Sequence, residues 1–170
     1  MTDVSTARAP SDIVIRPATP ADVPGLGRLG ALLVSTHHDF DPKRFIPPTR
    51  QTAQGYASFL GSQLEESNVV VLVAVQDGEV IGYAFAGMEG RDWMSLRGPA
   101  GILHDIIVDP ERRGRGVARL LLDATVARLK SLGAPQIVLS TAERNTSAQR
   151  LFAAAGFRPT MIEMTRELDA

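Results

Sequence analysis

From Ile106 to Ala118 the chain reads Ile-Ile-Val-Asp-Pro-Glu-Arg-Arg-Gly-Arg-Gly-Val-Ala: an apolar strand, a glycine-arginine turn and the start of a helix. Such an order suits the holding of an anion. The first amides of a helix have no partner within it and sit at the positive end of its dipole, and glycines let the main chain approach a phosphate oxygen with no Cβ in the way. Arg112, Arg113, Arg115 and Arg119 add positive charge to the same stretch. Two other phosphate-binding patterns fail on these residues. A Walker A loop, G-x-x-x-x-G-K-[ST], is absent, and the third glycine of the dinucleotide fingerprint is replaced by Arg119.

Just upstream, His104 and Asp105 interrupt an otherwise apolar run, 102–108, and are candidates for acid-base chemistry. Strict alternation along a strand sends them to opposite faces. His37, His38 and Asp39 have the side chains of metal ligands. Adjacent histidines point apart, however, and no third ligand is suitably spaced, so they read as a solvated or substrate-facing loop and no metal is assigned. Arg91, Trp93 and Arg97 are substrate-side candidates whose alternative use is packing.

The elements that position these residues follow from spacing. A polar tail, 1–11, precedes a continuous domain, 12–170, with a short strand at 13–16. Thr19-Pro20-Ala21-Asp22 then opens a helix whose apolar residues Val23, Leu26, Leu29, Leu32 and Leu33 recur every three to four positions. Residues 35–48, with three prolines, read as an irregular connection to a second helix at 49–66. Apolar runs at 69–76 and 80–88 flank Asp77-Gly78, a hairpin signal, and a further strand is expected at 102–108. A helix at 117–132 stopped by Gly133, a strand at 136–140, a helix at 147–155 and a last strand at 161–168 complete the order. Hairpin-linked strands followed by strand-helix-strand imply a mixed α/β sheet.

Composition narrows the function. With 170 residues, 44% of them apolar, the chain can bury one substantial core. A formal charge of -1 and a pI near 6.3 give no global attraction to nucleic acid, and the arginines lack interleaved aromatics, so no nucleic-acid partner is expected. The absence of cysteine removes thiolate nucleophiles and cysteine-ligated metals, and a cytoplasmic setting fits best. The first residues lack the apolar core of a signal peptide, and no apolar run nears the roughly 20 residues needed to span a bilayer, so no membrane partner is expected.

Arg113-Gly114-Arg115-Gly116-Val117-Ala118 resembles the R/Q-x-x-G-x-G/A signature of the GNAT superfamily of acyl-CoA-dependent N-acyltransferases. Downstream, Asn145, Ala148, Leu151-Phe152 and Gly156-Phe157 resemble that family's N-x-x-A-x-x-L-[YF]-x-x-x-G-F region. The resemblance covers the chain from about Ile13. It implies a mixed, mostly antiparallel sheet of about six to seven strands with about four helices, in which strands 102–108 and 136–140 splay apart to form an acetyl-CoA cleft. It also implies that Arg113, Gly114, Arg115, Gly116, Val117 and Ala118 cradle the pyrophosphate. Ile106, Ile107 and Val108 would pair with the pantetheine arm, and Asn145 would meet the cofactor from the far side.

The implied activity is acetyl transfer from acetyl-CoA to a primary amine of a small molecule or peptide, by direct attack in a ternary complex. A homodimer is compatible with it. The family's usual acid is a tyrosine at the position of Phe152, which here is left to pack on the pantetheine. A thiol of pKa about 8.5 departs as thiolate near neutral pH at a cost of roughly 2 kcal/mol, so that loss is tolerable. The 136–140 strand offers Ser140 and Thr141 in place of the base glutamate of some relatives, which leaves His104 and Asp105 as the candidates. Deprotonating a lysine-like amine at neutral pH costs more than about 4 kcal/mol, against about 1 for an α-amine, so sparse acid-base equipment suits a low-pKa amine. The alternative is an acyl-CoA-binding sensor or interaction module of the same fold with weak or absent catalysis.

Overall fold

The computed structural model describes residues 13–168, so the tail expected at 1–11 lies outside the described residues. The first strand, β1 (Val14–Pro17), leads through a 3-10 turn (Pro20–Asp22) into α1 (Val23–Phe40), followed by α2 (Thr52–Gln63). Next come β2 (Val69–Gln76), β3 (Glu79–Glu89) and β4 (Ala100–Val108). The chain then forms α3 (Val117–Ser131), β5 (Ile137–Leu139) and α4 (Thr146–Ala154). The junction into α1 is set by Asp22, which is 6% exposed and accepts from the Arg16 guanidinium at 2.6 and 2.9 Å and from the Thr19 amide and hydroxyl at 2.8 and 3.0 Å. The arginine bond, against the opposing effect of burial, brings its carboxyl down to about 2.

The strands form one sheet in the order β1-β2-β3-β4-β5, antiparallel except for the parallel β4-β5 pair. Asp77 and Gly78, with φ of 53 and 80, make the tight turn between β2 and β3. Val70, Leu72 and Ala74 of β2 pack on the layer that includes Val117, Leu121 and Leu129 of α3. The alternate residues Val71 and Val73 pack with Leu26 and Leu29 of α1 and Leu60 of α2. The sheet is therefore covered on both faces, which is why its central strands read as unbroken apolar runs.

α1 and α2 meet along small residues. A Cβ at Gly27 would lie 2.4 Å from the Ala53 carbonyl oxygen, and one at Gly30 would lie 2.2 Å from Cδ1 of Tyr56. Only glycine permits that approach.

The observed sheet corrects the expectation of six to seven strands, because it has five among the described residues. The strand expected at 161–168 does not form, and Met161, Ile162, Met164 and Leu168 are exposed. Its apolar residues do not alternate, and β5, the outermost strand of the sheet on that side, is three residues long. The segment is tied instead by an ion pair of Glu163 with Arg44. α1 also runs further than expected, taking in residues 35–40, because the prolines of the connection begin only at Pro42. Thr36 and His37 bond back to the Leu32 and Leu33 carbonyls at 2.8 and 2.9 Å. α2 is shorter than the expected 49–66.

Candidate active site

β4 and β5 pair through only three positions, Gly101 with Ile137, Ile102 with Val138 and Leu103 with Leu139. Beyond Leu103, β4 continues through Val108 with no strand beside it on that edge among the described residues. The resulting opening is a cleft. His104, Asp105 and Ile106 line it from β4, Ser140 and Thr141 from the residues after β5, and Leu33 and His37 from α1. Asn145, Ala148 and Phe152 close the far side.

The turn after β4 is held by its own polar groups. Asp109 accepts from the Glu111 amide at 3.1 Å and pairs with Arg28 of α1 at 3.0 Å, while Arg28 also donates to the Val80 carbonyl at 2.8 Å. Gly114 and Gly116 both have φ of 76, the left-handed region where a Cβ is costly. Gly116 is the N-cap of α3, and the first intrahelical bond runs from the Leu120 amide to the Gly116 carbonyl at 3.0 Å. The amides of Val117, Ala118 and Arg119 consequently have no carbonyl within the helix to bond, and glycine brings no side chain to cap them.

Three of the four arginines counted in the sequence are engaged elsewhere. Arg112 reaches Gln76 and Glu79, Arg113 donates to the Val108 carbonyl at 3.2 Å, and Arg119 pairs with Asp123 at 2.9 Å. Arg115 makes no hydrogen bond or ion pair among the described residues and is exposed. Uncapped amides, two left-handed glycines and a solvent-facing guanidinium fit a diphosphate.

The register between β3 and β4 slips once. Phe85 pairs with Asp105 and Ala86 with Leu103, so His104 is the extra residue of a β-bulge. The bulge overturns the expectation that His104 and Asp105 occupy opposite faces. Asp105 Oδ2 accepts from the Tyr83 hydroxyl at 3.0 Å, and the His104 ring stacks on Phe85 at 4.9 Å. Tyr83 and Phe85 belong to the same face, the one covered by α1 and α2. His104 Nε2 lies 3.6 Å from Glu89 Oε1.

Burial pushes the Asp105 carboxyl above its ordinary value, against the Tyr83 hydrogen bond and the nearby His104 and His37. The same burial, reinforced by Asp105, raises the Tyr83 phenol strongly and takes Tyr56 to about 12. Both tyrosines therefore stay protonated at neutral pH and can only donate hydrogen to a carboxylate.

Asn145 caps α4, its Oδ1 accepting from the Ala148 amide at 3.2 Å. Phe152 is 7% exposed and meets Phe157 edge-on at 5.9 Å. Arg91, Trp93 and Arg97 do not line the cleft; Arg97 bonds Glu89 at 2.8 Å and Arg91 lies over the Trp93 ring. His37 and His38 are helical, their Nδ1 atoms on the Leu33 and Phe45 carbonyls, both at 2.9 Å. No cluster of three or more potential metal ligands occurs among the described residues. Tyr83, Tyr56 and Leu33 had no signal in the sequence beyond their place in apolar patterns.

Among relatives, the chain is 38% identical over 89 residues to a mycothiol acetyltransferase of Thermobispora bispora. The match takes in 50% of this chain but 28% of that relative, so the chain spans little more than a quarter of its length. It is 29% identical over 106 residues to an uncharacterised N-acetyltransferase of Bacillus subtilis, covering 61% of this chain and 68% of that one. In structure it resembles the Bacillus halodurans protein BH1408, with a TM-score of 0.77, 24% identity and coverage of 91% and 99%. It also resembles an aminoglycoside N-acetyltransferase solved with CoA, with a TM-score of 0.71, 22% identity and coverage of 97% and 99%. No helix among the described residues is long and apolar enough to cross a membrane. Residues 34–157 match the model of the acetyltransferase (GNAT) family, and the chain belongs to that family.

Proposed function

We propose that this protein is an N-acetyltransferase that moves an acetyl group from acetyl-CoA to a primary amine of a small molecule or peptide, in a ternary complex without a covalent enzyme intermediate. The observation that carries this is the unpaired length of β4, which includes His104 and Asp105 of the cleft and leads through the 109–116 turn to the uncapped amides of α3. Residues 113–118 hold the diphosphate through main-chain hydrogens and Arg115, and Ile106, Ile107 and Val108 offer the backbone edge along which the pantetheine arm lies. Asn145 and Phe152 bound the arm on its other side. Asp105 and His104 face the acceptor amine. With no cysteine in the chain, the amine itself attacks the thioester. The domain is the unit 12–170, working in the cytoplasm with neither nucleic acid nor membrane as partner.

Phe152 favours one rival, a module that binds acyl-CoA without turning it over, because the buried ring has no hydroxyl to give the departing thiolate a proton. Free-thiol release from acetyl-CoA, followed across polyamines, amino acids, aminoglycosides and peptides, separates the two. The panel includes aminoglycosides because a fold neighbour acts on them. Release with one amine class supports the transferase. Calorimetric binding of CoA with no release for any amine establishes the module, and no binding at all overturns both.

A further inference from the structure

His37 is the titratable side chain of the cleft that the proposed function leaves unused. The extension of α1 to Phe40 carries it to the wall facing β4. Its Nδ1 lies 2.9 Å from the Leu33 carbonyl oxygen, which can only accept, so Nδ1 bears the hydrogen and Nε2 of the neutral ring keeps the lone pair. Edge contacts with Phe40 at 6.0 Å and Phe45 at 5.1 Å set the plane of the imidazole. Nε2 has no protein partner among the described residues. Asp105 is close enough for the two charges to interact. The other candidates are already engaged, Asp105 Oδ2 by the Tyr83 hydroxyl and the His104 ring by Phe85 and Glu89.

We propose that His37 Nε2 is the general base of the transfer, with Asp105 across the cleft stabilising the imidazolium; this rests on the transferase function above. As the amine nitrogen bonds to the thioester carbonyl carbon, Nε2 takes one proton from that nitrogen. As the carbon-sulfur bond breaks, the proton passes to the departing thiolate, directly or through water. The amide and free CoA thiol are the only products, and the imidazole returns to its starting form. Besides His37, the titratable side chains lining the cleft are His104 and Asp105 of β4; behind them Tyr83 of β3 bonds Asp105, Glu89 of β3 lies beside His104, and Tyr56 of α2 feels the Asp105 charge.

The test compares His37→Gln and His37→Asn with wild type, using the amine found in the thiol-release panel. Asn keeps an amide donor near the Nδ1 position for the Leu33 carbonyl, Gln puts a neutral amide near that of Nε2, and both remove the base. The expected result is a fall in kcat/KM of about 100-fold or more, with an acidic side of the pH profile that follows the ionisation of the amine alone and an unchanged CoA dissociation constant. Either variant keeping wild-type kcat/KM overturns the proposal. So does a fall matched by an equal loss of CoA binding, which marks a structural role. Wild-type protein that binds CoA but acetylates no amine fails earlier, at the transferase function, and takes this proposal with it.

Discussion

Tyr83 offers a direct measure of how the Asp105 carboxylate is held. Its side chain is 0% exposed and its hydroxyl donates to Asp105 Oδ2 at 3.0 Å, so Tyr83→Phe deletes one hydrogen bond and leaves the ring in place. A bond to a charged acceptor contributes about 1.5–3 kcal/mol, and one to a neutral acceptor about 0.5–1.5. At about 2.1 cal/mol/K per residue, unfolding 170 residues carries an entropy near 0.36 kcal/mol/K. The variant should then melt about 4–8 °C below wild type at pH 8, several units above the ordinary carboxyl value. Because burial raises the carboxyl above its ordinary 3.8, Asp105 in the folded protein is protonated near that pH, and the deficit there should shrink to about 1–4 °C. Differential scanning calorimetry of both proteins at pH 8 and near pH 4 provides the comparison. Equal deficits at the two pH values, or none at pH 8, would refute the charged hydrogen bond.

The raised Asp105 carboxyl also fixes a sign: its contribution to stability is fully present below about 3.8 and is lost as pH rises through the folded value. Asp105→Asn should therefore be at least as stable as wild type at pH 8 and lose that advantage below pH 4, while turning over more slowly; a urea midpoint at pH 8 clearly below wild type contradicts this. Gly116→Ala forces an L side chain to φ of 76, costing about 1–2 kcal/mol, and should weaken CoA binding, with calorimetry giving an unchanged dissociation constant as the contrary result. Gly30→Ala would set a Cβ 2.2 Å from Tyr56 and should destabilise by about 1–3 kcal/mol; denaturation within about 0.5 kcal/mol of wild type would mean that the α1-α2 seam opens freely.

Elements whose cause is local were legible in the sequence. The hairpin at Asp77-Gly78, the apolar β2 and the helix after Gly116 depend on residues adjacent to them, and each forms within a residue or two of its expected place. The missing last strand illustrates the opposite case, since a strand needs a neighbour and three-residue β5 offers little edge to pair with. The prolines from Pro42 onward made residues 35–40 look irregular, whereas the helix continues almost up to them. At the candidate site, the adjacency of His104 and Asp105 marked an interruption in the strand. Which way they point depends on the β3 register, a relation between residues about twenty positions apart.

The short union of β4 with β5 has a mechanical consequence. Three rungs fasten β5 and α4 to the rest of the sheet, helped by the packing of Leu151 and Phe152 and by an Arg119 bond to the Ala154 carbonyl at 3.3 Å. A molecule lying along the free part of β4 and touching α4 would act as a clasp across that seam, so filling the cleft and stiffening this corner of the protein become the same event.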